Sequence, residues 1–104
     1  MTIKFFQKIN KIRCEQMYHK IDDWSESDWA VALAGETGEL CNFIKKRRRG
    51  DDIHVSDCAK ELADVVTYAV LFAEKLNIDL ETYLIDKFNE VSDRMKCDIK
   101  IEHD

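Results

Sequence analysis

Very little in this chain can interrupt a helix. Proline is absent from its 104 residues, and glycine occurs only at Gly35, Gly38 and Gly50. Proline removes a backbone donor and clashes with the preceding turn, while glycine gives up the most backbone entropy on ordering. With both scarce and apolar residues recurring at helical spacing, the expected fold class is all-α, a four-helix bundle. The first helix is expected over residues 3–20, with Ile3, Phe6, Ile9, Ile12 and Met17 on one face. A polar turn from Asp22 to Ser27 follows, in which Ser25 or Ser27 serves as N-cap. The second helix then spans residues 28–48 and stops at Gly50 behind a Lys/Arg run. Residues 51–54 form a loop. Ser56 is expected to cap a third helix reaching Leu76, and Asp79 a fourth through Leu80, Leu84, Phe88 and Val91 to Met95. In the tail, Ile99 and Ile101 alternate with polar residues, which fits a short strand or coil.

At this length there is room for one domain, residues 1–104, with a modest core that oligomerisation would complete. A composition 45% hydrophobic and 36% charged argues for a folded protein rather than disorder. Sixteen basic against 21 acidic residues give a formal charge of −5, the wrong sign for a dedicated nucleic-acid binder. Cys14, Cys41, Cys58 and Cys97 are widely spaced without a CxxC pair, which fits free thiols in a reducing compartment better than disulfides or zinc. No apolar run is long enough to span a bilayer, and the first residues lack a signal-peptide core; the expectation is a cytoplasmic protein with no membrane partner.

The acidic residues carry the chemistry. Glu36 and Glu39 are three apart and share one helical face. At about 100° per residue that face also holds Trp29, Ala32, Leu33, Leu40 and Phe43. Two carboxylates inside an apolar arc are costly unless a cation compensates them. Glu61 and Asp64 repeat the spacing on the third helix, whose apolar arc is Cys58, Leu62, Val65, Ala69, Phe72 and Leu76. Glu61 lies at the edge of that arc, and Asp64 further round beside Tyr68. Antiparallel packing of the two helices would set the pairs opposite each other as a four-carboxylate box suited to Mg²⁺ or Mn²⁺. Either pair alone would ordinarily be a solvated face. A di-iron bundle would need histidine three residues after glutamate, and His19, His54 and His103 do not occupy such positions.

The segments WAVALAGETGEL (29–40) and KELADVVTY (60–68) resemble the all-α nucleotide pyrophosphohydrolase superfamily, specifically its MazG-like branch. That family pairs ExxE with a downstream ExxD; here 21 residues separate Glu39 from Glu61, and the likeness covers residues 24–94. The resemblance implies hydrolysis of nucleoside or deoxynucleoside triphosphates to the monophosphate and pyrophosphate, for nucleotide pool control or house-cleaning. It implies Mg²⁺ on Glu36, Glu39, Glu61 and Asp64, with Glu36 or Glu39 preparing the nucleophile. It also implies homodimers or dimers of dimers with active sites between subunits.

Further contacts follow from the same resemblance. Of the run from Lys45 to Arg49, Lys45 or Lys46 would reach the triphosphate, while the other charges relieve the helix dipole and face water. Lys87 matches a position where a fourth-helix lysine meets phosphate, with Asn89 and Arg94 as neighbouring polar contacts. Tyr68 lies one turn after Asp64, where dCTP-hydrolysing members place an aromatic near the nucleotide. Trp24 and Trp29 would stack on a base or line its pocket, with core packing the commoner role for Trp29, and His19 would lie near the same mouth, where a lone histidine is more often structural or exposed. Some members carry a tryptophan where this chain has Lys46, which leaves base preference open. Two other classes compete: a non-catalytic helical nucleotide-sensing or protein-interaction module that retains the carboxylates, and an RNA binder using the basic run, which lacks interleaved aromatics.

Overall fold

Four α-helices and one 3-10 turn make up the computed structural model, which describes residues 1–104. In chain order they are α1 (Ile3–Met17), the 3-10 turn (Ile21–Asp23), α2 (Glu26–Arg48), α3 (Val55–Lys75) and α4 (Leu80–Arg94). There is no strand, and residues 97–104 are coil. The all-α expectation therefore holds, and no helix is long and apolar enough to cross a membrane.

Capping chemistry moves three boundaries from their expected places. Ser25, not Ser27, caps α2: its Oγ accepts the Asp28 N–H at 3.1 Å, and the Asp28 carboxylate accepts the Ser25 N–H at 2.9 Å. Ser27 has only Ala30 three residues on, so it cannot close such a box. For the same reason α3 begins at Val55 rather than after Ser56; the Asp57 carboxylate accepts the His54 N–H at 3.0 Å. α1 ends at Met17, short of residue 20, because the Asp23 carboxylate takes the Lys20 N–H at 3.0 Å and winds the chain into the 3-10 turn. Asp79 caps α4 as expected, accepting from the Glu81 N–H at 3.2 Å.

α2, α3 and α4 all end the same way. Gly50, Asn77 and Lys96 each have positive φ (96°, 56° and 57°). The next residue's N–H turns back to the carbonyl of Lys46, Ala73 or Ser92 at 3.0, 3.1 and 2.8 Å. These are Schellman closures, which satisfy carbonyls that a helix end leaves orphaned.

α2 and α3 pack as the main antiparallel pair, α1 lies against α3, and α4 meets α1. The central cluster is Cys14, Ile21, Trp29 and Leu71, with Trp24, Tyr68 and Phe72 packed against it. Trp29 is 1% exposed, and its indole N–H reaches the Ile21 carbonyl at 3.0 Å.

The apolar faces are not all used. α1 buries Gln7, Asn10 and Cys14, while Phe5, Ile9 and Ile12 of its apolar residues lie outward. Gln7 is drawn in because its amide ties the α3–α4 turn, donating to the Ile78 carbonyl at 2.7 Å and accepting the Leu80 N–H at 3.1 Å. On α3 the buried residues are Cys58, Val70, Leu71 and Ala73, whereas Leu62 and Leu76 of the expected arc are 54% and 41% exposed. Leu84 and Phe88 on α4 are exposed as well. Only ten residues are buried, and the radius of gyration is 16.3 Å, against roughly 13 Å for a compact chain of about 100 residues. At Gly35 and Gly38 of α2, an added Cβ would meet nothing within 4 Å.

Candidate active site

The antiparallel register of α2 and α3 brings Trp29 to Leu71 and, further along, the two acidic pairs to each other. Carboxylate oxygens of Glu36, Glu39 and Glu61 all lie within 4.8 Å of one another. Asp64 stands just outside this trio, on the wall of an adjoining cavity that it shares with Glu36. None of the four takes part in an ion pair. One Glu61 oxygen, Oε2, is buried without a hydrogen-bond partner.

The electrostatics follow from that crowding. Burial, then the charges of Glu39, Asp64 and Glu61, hold the Glu36 carboxyl above the ordinary glutamate range. Burial also raises Glu61, with Glu39 and Asp64 adding to it. Like charges gathered without a counter-ion resist ionisation together. An orphaned buried oxygen and an all-oxygen, uncompensated donor set fit a hard divalent cation such as Mg²⁺ or Mn²⁺.

Beside the carboxylates opens a cavity of about 430 Å³ between α1, α2, α3 and the residues that flank the 3-10 turn, Tyr18, His19 and Trp24. One wall is aromatic. His19 stacks on Trp24 at 4.4 Å between centroids, Trp24 meets Trp29 at 4.5 Å, and Trp29 meets Tyr68 at 6.4 Å. Trp29 is core as much as lining, while Trp24 and Tyr68 are half-buried and offer ring surface. Burial, then the charges of Glu36 and Asp64, push the Tyr68 phenol up, so it stays protonated and able to donate. His19 Nδ1 lies 2.8 Å from the Lys20 carbonyl, which can only accept; the proton therefore sits on Nδ1, and Nε2 is left free.

The remaining sequence candidates lie outside this cavity. Lys45 is exposed, and the half-buried Lys46 ammonium lies 5.6 Å from the centre of the Phe43 ring. Lys87 pairs with Glu90 at 3.0 Å. Asn89 is spent on the tail, donating to the Ile101 carbonyl at 2.7 Å and accepting its N–H at 2.8 Å. Arg94 is exposed in the last turn of α4. A single chain thus gathers Glu36, Glu39, Glu61, Asp64, Tyr68, Trp24 and Trp29, and leaves Lys45, Lys46, Lys87, Asn89 and Arg94 apart.

Sequence reasoning passed over the α1 side of the cavity, where Asn10, Arg13, Cys14 and Tyr18 line it, and Thr67 and Leu71 across from them. His19, expected near the cavity mouth, lines its wall as well. A faint signal existed in α1: Gln7, Asn10 and Cys14 follow helical spacing on a face of their own beside the apolar stripe.

The family model for the MazG nucleotide pyrophosphohydrolase domain matches residues 25–96. The chain belongs to this family. The matched span contains α2, α3, α4 and all four carboxylates of the MazG domain, and leaves α1 and the 3-10 turn outside. No curated protein and no solved structure matches the chain. MazG membership points to nucleotide pyrophosphohydrolase activity, the chemistry to which an acidic cluster beside an aromatic cavity is suited.

Proposed function

We propose that this MazG protein hydrolyses nucleoside or deoxynucleoside triphosphates to the monophosphate and pyrophosphate with Mg²⁺, for which Mn²⁺ can substitute. The observation that carries the reading is the uncompensated group of carboxylates at the edge of an aromatic-lined cavity. Glu36, Glu39, Glu61 and Asp64 would hold the cation. When bound, it lowers the pKa of water and offsets charge on the phosphoryl oxygens. A water oxygen bonds to the α-phosphorus while the bridge to the β-phosphate breaks and pyrophosphate leaves. Glu36 or Glu39 takes up the water's proton. Tyr68 donates its hydroxyl proton to an oxygen acceptor near the carboxylates, and Trp24 and Trp29 flank the base.

The working unit is a homodimer or a dimer of dimers. Support comes from the outward apolar residues of all four helices and from the expanded dimensions of the single chain. In such an assembly Lys45, Lys46, Lys87 and Arg94 would meet the phosphates of a site shared between copies; Asn89 would join them only after releasing Ile101. The setting is the cytoplasm, and the role is control or cleaning of the nucleotide pool.

A panel of NTPs and dNTPs, including oxidised and methylated ones, tests the reaction. With Mg²⁺ the expected products are monophosphate and pyrophosphate in equal amounts. Binding without turnover, or release of orthophosphate alone, would overturn it.

A further inference from the structure

We propose that Arg13 makes the cavity selective for nucleotides with a 6-oxopurine base, guanine or hypoxanthine. The inference rests on the nucleotide-hydrolase reading above and supplies the base preference that reading leaves open.

The first argument is position. Asp64, Thr67, Tyr68 and Leu71 line the cavity from one face of α3, and seven residues at 1.5 Å rise span about 10 Å. The carboxylates mark one end of that span. At the other end Leu71 packs in one cluster with Cys14 of α1. Gln7 reaches further still, to Glu74 at 3.2 Å and to Ile78. α1 therefore runs opposite to α3, and Arg13 and Asn10 line the end of the cavity remote from the acidic group. A nucleotide with its α-phosphate at the carboxylates and its base against Trp24 and Tyr68 would bring the base's outer edge to Arg13.

The second argument is the donor inventory at that end. Asn10 is 4% exposed, and its NH₂ group donates to the Phe6 carbonyl at 2.8 Å. Its Oδ1 then faces Arg13 and accepts one Nη2–H at 3.4 Å. No carboxylate pairs with this guanidinium. Arginine carries five N–H donors and no acceptor; Arg13 is exposed, so water meets its remaining donors in the open cavity, and a base that displaces that water must offer acceptors in its place. The guanidinium fork matches two adjacent acceptors, which O6 and N7 of a 6-oxopurine present. Adenine and cytosine offer an amino donor at the corresponding edge, and uracil and thymine a lone carbonyl beside an N–H. Phosphate, the other partner of an arginine fork, would be drawn to the opposite end, where Glu36, Glu39, Glu61 and Asp64 would hold a cation.

The test compares kcat/KM with Mg²⁺ for GTP, ITP, ATP, CTP, UTP and 7-deaza-GTP, which lacks N7. GTP and ITP should lead ATP and CTP by roughly tenfold to a hundredfold, the discrimination typical of a bidentate arginine–base pair, with 7-deaza-GTP between. Arg13→Met should bring the GTP/ATP ratio toward one, and Arg13→Lys should restore only part of it, because a point charge lacks the fork. Circular dichroism checks that both variants keep their helices. Equal kcat/KM across bases, 7-deaza-GTP matching GTP, or an Arg13→Met ratio equal to wild type overturns the inference while leaving the hydrolase reading intact. If no nucleotide is turned over, that reading fails instead, and the base preference is read from tryptophan-fluorescence titrations: tighter GTP and ITP than ATP supports it, equal affinities overturn it.

Discussion

Glu61 sits where the protein's electrostatics are least settled, with a buried oxygen that no donor reaches and Glu36, Glu39 and Asp64 close by. Its folded-state pKa, like that of Glu36, lies above the unfolded value. A group shifted upward contributes stability that is fully present below its unfolded pKa and lost as pH rises through the folded one. In metal-free protein the site therefore weakens the fold progressively above the ordinary glutamate value of 4.5. Glu61→Gln should melt higher than wild type at pH 7 without metal, and the gap should close on approach to pH 4. The same variant should lose much of the rise in melting temperature that Mg²⁺ gives the wild type. A wild type that melts higher than the variant at pH 7 without metal would show that the carboxylates do not repel. Glu39→Gln and Asp64→Asn should each lower turnover by orders of magnitude with the helices intact by circular dichroism; near-wild-type rates in both would refute the ligand assignment. The carboxylates were legible before any coordinates because their three-residue spacing fixes a shared face. Arg13 was not, since what puts it on the cavity wall is how α1 lies against α3, a long-range relation that local periodicity does not encode.

Where a helix boundary departs from the hydrophobic pattern, local chemistry overrides it by up to three residues. Of the two serines that could cap α2, Ser25 does so and Ser27 does not, and Ser56 does not cap α3, because a serine closes a capping box only with an acid or amide three positions on, a condition that Ser25 with Asp28 meets. The existence and order of the helices were legible, since nothing in the sequence breaks them. The outward turn of the α1 stripe was not, because Gln7 is held by the α3–α4 turn. At the end of α4, Lys96 holds φ of 57°, a region costly for any side chain with a Cβ. Lys96→Gly should raise stability by about 0.5–1 kcal/mol in chemical denaturation; a loss would mean that the lysine side chain matters more than its backbone. Beyond it the tail turns back along α4, with Lys100 on Asp93, Ile101 on Asn89 and His103 on Asp86.

For the molecule as a whole, the ratio of inside to outside is the telling quantity. Ten buried residues are few to hold a folded chain of this length together, and Leu62, Val66, Leu84 and Phe88 all lie in the open. Sedimentation should give the mass of two or four chains, and Leu62→Glu combined with Val66→Glu should reduce it while lowering the melting temperature. A wild type that sediments as a single chain at micromolar concentration would remove the basis for a shared site. The apolar arcs that imply such an assembly were readable from spacing; which of them face inward was not, because the sequence pattern is the same whether the neighbour is the chain's own helix or another copy's. Gly35 and Gly38 bracket Glu36 on α2 and leave bare backbone facing outward there. A stretch so stripped of side chains has little of its own to stiffen it and admits a neighbouring rod at very short range. In the proposed assembly the firmness of the acidic turn would be lent by the neighbour, and dilution far enough to part the copies would slacken the carboxylates before it unwound a single helix.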